Sequence, residues 1–341
     1  MIASIVSKQN LTLLDTITVS RYDIELDGDY GGKSQMIFHR KPIASEDDFI
    51  LLQDAGLVFQ GIINNIESTE GQNACTITAV EMQRLFDQKI LLTNTNLLAT
   101  GIEDFIANQM TENFISSDDS LLNISYLSVT TKTHTPVAAM TDNEDGVYNL
   151  CTYIGNALTN YGIFVDFEFK ESTINVVIEK KEQPELKIDT GLANIINLYE
   201  SYSTKVLAKL TVIWNNTKKQ FFLKTDRTIT ENKSDPDRAK GSVDIFVSTA
   251  ATEAEMREST MNLFRENSYQ HKITFDAIPA KLVSKSDLYV GHQLTVKTDS
   301  GIRDSIITGI RYSSGQAAIS VTLGQMKVTL IEKLKGVEAL K

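Results

Sequence analysis

Two stretches near opposite ends of the chain decide how the sequence is interpreted. Residues 63–82 are INNIESTEGQNACTITAVEM, and residues 307–326 are ITGIRYSSGQAAISVTLGQM. They align without a gap and are identical at seven of twenty positions, where average residue usage gives roughly one. In both, apolar and polar residues alternate around a Gly-Gln turn, which is typical of a β-hairpin. The sequence therefore predicts two related hairpins, one near each end of the chain.

The phase of the alternation predicts which side chains of each hairpin face inward. Cys75 aligns with Ile319, so we expect both to be buried, and we expect Thr78 and Thr322 to point outward. Cys75 is accordingly interpreted as a small core residue rather than a reactive thiol. Cys151, which lies on the apolar stripe of a predicted helix, is interpreted in the same way.

Outward from these hairpins, short alternating segments separated by turns predict small barrels, while helical periodicity with capping-box patterns appears at residues 100–103, 141–144 and 252–255. The predicted fold class is α+β and β-dominated: two similar small β-barrels separated by a small α+β module, with a helical insertion in the second barrel. The predicted boundaries are 1–95 for the first barrel, 96–190 for the α+β module, 191–226 and 271–326 for the second barrel, 227–270 for a loop-helix insertion and 327–341 for a C-terminal helix.

Composition limits the classes of function. The 341 residues include 33 basic and 44 acidic side chains, a net charge of −11, which disfavours binding to nucleic-acid phosphates and anionic lipid. No apolar run approaches the roughly 18 residues of a membrane helix, and residues 1–8 are too short and polar for a signal-peptide core. Two cysteines without motif spacing favour a reducing compartment. We expect a soluble chain that folds in the cytoplasm where it is made.

No catalytic constellation emerges from the sequence. The four histidines, at 39, 134, 271 and 292, lack a second ligand at metal spacing. The pair Asp118 and Asp119 is interpreted as a turn, the acidic loop at 231–244 as a solvated loop, and Trp214 as a core or interface aromatic. No P-loop, G-x-S-x-G or G-x-G-x-x-G motif is present. The prediction is no catalytic residue, no cofactor and no metal site.

Three segments carry a resemblance to a known family: FQGII at 59–63, IITGIRYSSG at 306–315 and AISVTLG at 318–324. With a helical insert between two barrels, the chain resembles the tail-hub family of phages and prophages, which includes the baseplate hub of contractile tails and the N-terminal hub part of tail-associated proteins. The resemblance covers essentially the whole chain. It rests on architecture more than on fixed residues.

The resemblance implies a non-enzymatic structural protein at the virion tail tip. It implies a homotrimer whose six barrels form a pseudo-sixfold ring that joins the tail tube to the tip and lets DNA pass. The implied partners are other tail proteins: the distal tail protein, the tape measure, and a fibre or receptor-binding protein. Stable membrane binding is not expected. Because the chain ends about fifteen residues after the second barrel, we expect a hub role only.

One alternative stays open at this point, a tail-associated carbohydrate-binding module or cell-wall hydrolase. Such a module could be monomeric, whereas a hub should form trimers, so oligomeric mass distinguishes the two hypotheses.

Overall fold

The structure is a computed structural model that describes residues 1–54, 57–68, 74–117, 119, 123–141, 146–202, 206–267, 269, 271–279 and 283–324. Strands dominate this part of the chain and helices are few, which confirms the predicted β-dominated α+β class. Among these residues, no helix is long and apolar enough to cross a membrane.

Six strands near the N-terminus close into a barrel. They are β1 (Ile2–Val6), β2 (Leu13–Asp27), β3 (Ser34–Phe38), β4 (Phe49–Gln53), β5 (Leu57–Ser68) and β6 (Cys75–Glu81). Their spatial order is β1-β4-β5-β6-β3-β2, and β1 also pairs with β2, which closes the ring. Because strand side chains alternate between faces, each strand sends every second residue inward. Met36, Phe38, Ile50, Leu52 and Ile63 are fully buried there.

The middle of the chain combines a three-stranded sheet with two helices. Its elements are β7 (Lys89–Leu91), α1 (Ile102–Met110), β8 (Leu127–Thr131), β9 (Val147–Asn149), α2 (Leu150–Tyr161), β10 (Ile163–Phe169) and β11 (Ile174–Lys180). The sheet order is β10-β11-β8, and β7 pairs with β9. Helix α2 ends at Gly162, whose φ of 70° is left-handed, a conformation that glycine adopts readily at a helix C-terminus.

The predicted capping box at 100–103 is wrong. Helix α1 has Gly101 at its N-cap with no side-chain cap, because the Thr100 hydroxyl donates to the Leu97 carbonyl instead. The Glu103 carboxylate is buried and accepts hydrogen bonds from Thr133 and Thr135. The box predicted at 141–144 falls mostly outside the described residues, and α2 is capped by Asn149.

A second sheet stands apart from the barrels. The next elements are β12 (Leu186–Asp189), β13 (Ile195–Tyr202), β14 (Leu207–Trp214), β15 (Thr217–Leu223), β16 (Ile229–Thr230), β17 (Ser242–Val247) and α3 (Glu253–Glu266). Strands β16-β15-β14-β17 form a sheet of their own, and α3 begins with the capping box of Thr252 and Glu255, as predicted. The sequence placed β14 and β15 in the second barrel. The structure differs from that expectation. Strand β14 pairs with β15 on one edge and with β17 on the other, so neither edge is left for a barrel strand.

The remaining strands complete a second barrel-like sheet. They are β18 (His271–Ala277), β19 (Gln293–Thr298), β20 (Gly301–Ser313) and β21 (Ile319–Gly324). The order β12-β19-β20-β21-β18-β13 repeats that of the first barrel, strand for strand. However, β12 runs parallel to β19 and, within the described ranges, does not pair with β13. The predicted helix at 327–341 lies outside the described residues, and the domain boundaries stay a prediction.

The two hairpins share their register as well as their order. In β5–β6, Ile63 pairs with Ala79, and the pairing then skips one residue of the long strand. In β20–β21, Ile307 pairs with Leu323 and the pairing skips one residue at the equivalent position. Both hairpins thus have a β-bulge at the same position, and a bulge bends the strand that carries it. The predicted repeat is therefore confirmed at the level of backbone pairing.

The equivalence extends beyond the twenty aligned residues. Ile63 exchanges backbone hydrogen bonds with the segment before β4, and Ile307 does the same with the segment before β19. Asp47 and Gly291, which start those segments, both have positive φ, 72° and 90°. Similar backbone geometry is thus kept where the sequences differ.

Burial follows the predicted phase. Cys75 and Ile319 are 1% and 6% exposed, whereas Thr78 and Thr322 are only partly buried. The inward assignment of Cys75 is confirmed.

Candidate assembly site at the barrel junction

The two barrels are joined by a strand pair. The second half of β2 runs antiparallel to the end of β20, from Asp23 opposite Ser313 to Asp27 opposite Gly309. Both strands are long, 15 and 13 residues, so each serves its own barrel with one half and the junction with the other. The pairing joins both barrels in one sheet of twelve strands within the described residues.

Side chains reinforce this junction. Arg311 Nε donates to Asp23 Oδ1 at 2.8 Å, Arg311 Nη2 contacts Asp23 Oδ2, and the Ser313 hydroxyl donates to Asp23 Oδ1 at 2.8 Å. The hydrogen bond from Arg311 lowers the pKa of Asp23. A bidentate guanidinium–carboxylate pair fixes geometry in addition to supplying energy. These contacts therefore lock the register of β2 on β20.

A second link crosses the junction through an aromatic side chain. The Tyr312 hydroxyl, on β20, donates to the Val58 carbonyl of β5 at 2.7 Å. Burial raises the pKa of Tyr312 well above its ordinary value, so the phenol stays a hydrogen-bond donor across the physiological range. The second barrel is thereby hydrogen-bonded to the first at β5 as well as at β2.

Carboxyl groups gather beside the junction. Glu81 Oε1 accepts a hydrogen bond from the Asp27 backbone N–H at 3.2 Å. Burial raises the pKa of Glu81 to about 8, and the nearby Asp27 and Asp29 carboxylates act in the same direction. The group is thus neutral in the folded protein over much of the physiological range. Its acceptor oxygen helps to hold the turn that follows β2.

A cleft of about 360 Å³ opens between β2, β20, β21 and β18. Glu25, Asp29 and Asp276 line it together with Lys272 and Arg311. Over the part of the chain that the structure describes, no group of three or more His, Cys, Asp or Glu side chains has the arrangement of a metal site. The cleft is a mixed-charge surface.

Several strand edges are unpaired among the described residues, and two of them lie on β13 and β5. One is the outer edge of β13, the last strand in the sheet order. The other is the edge of β5 beyond Ile63, where residues 65–68 pair with β6 on one side only. On β13, four large side chains are exposed, at 40% for Ile196, 39% for Leu198, 60% for Tyr199 and 45% for Tyr202. The sequence indicated a strand here, but alternation alone did not show that this strand ends a sheet.

The histidines have different surroundings. His134 Nδ1 lies 2.8 Å from Asp104 Oδ2 at the surface. His271 is buried and its Nε2 lies 2.9 Å from the Ser305 hydroxyl. Burial lowers the pKa of His271 to about 4, and the charges of Arg227 and Arg303 add to this effect.

His292 is fully buried, with Nδ1 2.6 Å from the Asp287 carbonyl and Nε2 3.0 Å from the Pro184 carbonyl. It stacks on Tyr289 with the ring centroids 4.4 Å apart. His39, the remaining histidine, is exposed after β3. These contacts give the buried imidazoles structural roles.

The other residues singled out in the sequence also have structural partners. Cys151 is 1% exposed, and burial raises the pKa of its thiol to about 12. Trp214 Nε1 donates to the Ala250 carbonyl at 2.7 Å, and Lys219 Nζ lies 5.5 Å from its ring centroid.

The acidic loop at 231–244 is tied to α3, because Glu231 pairs with Arg257 at 2.5 Å. Asp119 is exposed, and Asp118 lies outside the described residues.

Solved structures of other proteins share this architecture. No protein-family model and no curated protein sequence matches the chain. Among solved structures, the tail protein from Neisseria meningitidis MC58 is similar, with a TM-score of 0.55 and 12% identity over 95% of this chain and 96% of that one. The chain has the fold of phage tail proteins.

Two further tail proteins share the fold. The 43 kDa tail protein of prophage MuSo2 from Shewanella oneidensis has a TM-score of 0.55 at 10% identity, over 96% of this chain and 98% of that one. Prophage tail protein gp18 from Listeria monocytogenes EGD-e has a TM-score of 0.52 at 11% identity, over 99% and 98%. The resemblance to the tail-hub family is thus confirmed for the fold.

Proposed function

We propose that the chain is a structural phage or prophage tail protein that acts as the hub of a baseplate or tail tip. The observation that carries this proposal is the pairing of two barrels with the same strand order in one chain whose fold is that of tail proteins over nearly its full length. Its place is the tail tip of the virion, after synthesis in the cytoplasm of the bacterial host.

The proposed assembly is a homotrimer. A subunit with two similar barrels offers two similar faces, so three copies supply six barrels around one axis. Such a pseudo-sixfold ring matches a sixfold tail tube above and a threefold tip below. A head-to-tail interface closes into a ring of this kind when its rotation divides the circle.

DNA passes through the ring without being held. The net charge of −11 per chain opposes attraction to phosphates. We expect no submicromolar binding of duplex DNA at about 150 mM salt. The stable partners are instead other tail proteins, namely the distal tail protein, the tape measure, and a fibre or receptor-binding protein.

The proposed role is not enzymatic. The competing hypothesis, a carbohydrate-binding module or cell-wall hydrolase, requires a platform or an acid–base pair. Trp214, the lone tryptophan, has its N–H bonded to a backbone carbonyl and a lysine near its ring. That environment favours a packing role over a sugar platform.

Oligomeric mass and particle shape test the proposal. Light scattering over a concentration series should give three times the monomer mass, and electron-microscopy class averages should show a ring of six lobes. A monomer at every concentration, or a twofold dimer that buries the outer face of one barrel, would contradict the hub. Reproducible cleavage of peptidoglycan, lost on substitution of one acidic residue, would support the hydrolase.

A further inference from the structure

We propose that the free edge of β13 in one copy pairs with the free edge of β5 in the next copy. This contact repeats, between chains, the junction that β2 and β20 form within a chain. The inference rests on the proposed ring and names the strands and the register of its interface.

Strand β5 of the first barrel corresponds to β20 of the second. The two strands hold the same place in their barrels, with the same hairpin register and the same bulge. Beyond the bulge, β20 pairs with β21 on one side and with β2 on the other. Among the described residues, the corresponding segment of β5, 65–68, pairs with β6 only. The edge that β2 covers on β20 is therefore open on β5.

Strand β13 of the second barrel corresponds to β2 of the first. Asp23 pairs with Gln35 of β3, and Tyr199 pairs with Thr274 of β18. Gln35 and Thr274 pair in turn with the two equivalent hairpin threonines, on β6 and β21. Tyr199 thus holds in β13 the place that Asp23 holds in β2.

The register between copies follows from these matches. Within the chain, Glu25 faces Arg311. Ser201 takes the place of Glu25 two residues further along β13, and Glu67 takes the place of Arg311 on β5. Ser201 of one copy therefore faces Glu67 of the next copy in an antiparallel pair.

The chemistry of the two edges suits this contact. A sheet edge that exposes Ile196, Leu198 and two tyrosines invites uncontrolled pairing unless something covers it. At the proposed contact Glu67 meets Ser201 and Tyr199, so no like charges are opposed. The Tyr199 hydroxyl supplies a donor to the Glu67 carboxylate where, within the chain, Arg311 pairs with Asp23.

The contact joins two different edges and is therefore heterologous. Each copy uses β13 toward one neighbour and β5 toward the other, which generates a ring when the rotation closes. A twofold dimer would instead place β13 against β13. The two arrangements predict different cross-links.

The test is disulfide cross-linking of the full chain. Opposed residues of antiparallel strands have Cα atoms about 4.5–5.5 Å apart, within the range a disulfide spans. The double variant Ser201→Cys/Glu67→Cys is oxidised mildly and run on a non-reducing gel. We expect covalent dimers and trimers with trimers as the upper limit, and we expect each single variant to stay monomeric on the gel. The native thiols at 75 and 151 are buried and serve as the unmodified background.

The cross-linking has one positive and one negative control. Glu25→Cys/Arg311→Cys reproduces the same pair within the chain and should form an intramolecular disulfide, which shows that the oxidation works. Ser201→Cys/Val243→Cys places the second thiol on an exposed residue of β17 and should give no ladder.

Each outcome bears on one of the two proposals. A trimeric mass without cross-links from the double variant overturns the edge assignment and leaves the hub proposal standing. Cross-linked dimers from Ser201→Cys alone overturn the assignment in favour of a twofold contact. Absence of both trimer and cross-links overturns the edge assignment, and it counts against the hub as well.

Discussion

In the first barrel Phe38 lies across from Cys75, whereas in the second barrel Ala277 lies across from Ile319. All four side chains are buried. The large residue stands on one strand of the pair in the first barrel and on the other strand in the second. Because cores tolerate exchanges that keep total volume, the backbone register survives while the residues at these positions do not match. Cross-strand pairs, rather than single positions, are the units that the two barrels share.

The barrels differ in closure as well. In the first, β1 pairs with both β2 and β4, and every strand has two neighbours. In the second, β12 runs parallel to β19, and within the described part of the chain β13 ends the sheet. The second barrel thus keeps the edge that its counterpart covers, and the same architecture yields one complete unit and one with a free side.

The largest expected effect comes from a change at Phe38, the large residue of the pair that it forms with Cys75. Phe38→Ala should lower the free energy of unfolding by about 3–5 kcal/mol, because it removes a fully buried ring and leaves a cavity. Adding Cys75→Ile, which imitates the second barrel, should recover part of that loss. Urea unfolding monitored by circular dichroism measures both.

Ile302→Ala provides the control, since Ile302 is 71% exposed and the change should stay within about 0.5 kcal/mol. A double variant no more stable than Phe38→Ala would show that the two positions do not share volume.

The different positions of large and small residues in the two barrels also explain which of their strands could be matched from the sequence. The hairpins were predictable because Ile63 and Ile307, and likewise Gly71 and Gly315, are identical in alternating runs. The strands before them, β4 and β19, are equivalent in pairing but were not matched, because their side chains differ while their backbone hydrogen bonds agree.

The assembly site was less accessible to sequence analysis. The junction of β2 with β20 joins residues nearly 300 positions apart, as in the Asp23–Arg311 contact, and alternation carries no information on such partners. Strands β14 and β15 were misplaced for the same reason: their own patterns predict strands but not the sheet that they join.

A second difference between the barrels lies at the end of the hairpins. Gly324 of β21 corresponds to Val80 of β6, yet its φ is 90° and an added Cβ would lie 2.0 Å from the His271 carbonyl oxygen. Gly324→Val should therefore destabilise the protein by at least about 1–2 kcal/mol, from left-handed backbone strain alone. Thermal unfolding measures the loss. Gly315→Ala, at positive φ but with open space around the Cβ, is the control that isolates the clash.

The first barrel should be the source of alkaline sensitivity. Burial raises the pKa of Glu81 from 4.5 to about 8. Between these values the folded state binds more protons than the unfolded state, so this contribution to stability is complete below pH 4.5 and is lost as the pH rises through 8. Glu81→Gln should flatten that decline, because the amide keeps an acceptor for Asp27 without a charge.

Melting temperatures across pH 5–9 give the measurement, with the exposed Glu46→Gln as the matched control. Parallel pH curves for wild type and Glu81→Gln would contradict the assignment.

The second barrel should be the source of acid sensitivity. Burial lowers the pKa of His271 from 6.5 to about 4, with Arg227 and Arg303 adding to the effect and Glu200 opposing it. Here the unfolded state binds the extra proton, so stability present above pH 6.5 is lost as the pH falls through 4. His271→Gln should shift the start of acid unfolding to lower pH, as seen in a circular-dichroism titration. The exposed His134→Gln should leave that start unchanged.

The smallest expected effect concerns the ion pair at the junction between the barrels. Asp23 and Arg311 are joined in a bidentate arrangement, but the Arg311 side chain is 58% exposed. A double-mutant cycle with Asp23→Asn, Arg311→Gln and the combined variant should therefore give a coupling of about 0.2–1 kcal/mol. The coupling should fall between 0.05 M and 0.5 M salt, since an exposed pair is screened.

A coupling this small would mean that the junction between the barrels depends little on its ion pair. The backbone hydrogen bonds from Asp23 to Asp27 would then supply most of the stability of the junction, and the ion pair would mainly fix the register of β2 on β20. A ladder without an ion pair is what the β13 and β5 edges offer, because Tyr199 and Glu67 stand where the charges of Asp23 and Arg311 stand. A coupling above about 2 kcal/mol would mean that the junction depends on its charges. In that case the β13 edge, which has no such pair, could not reproduce the junction at comparable strength.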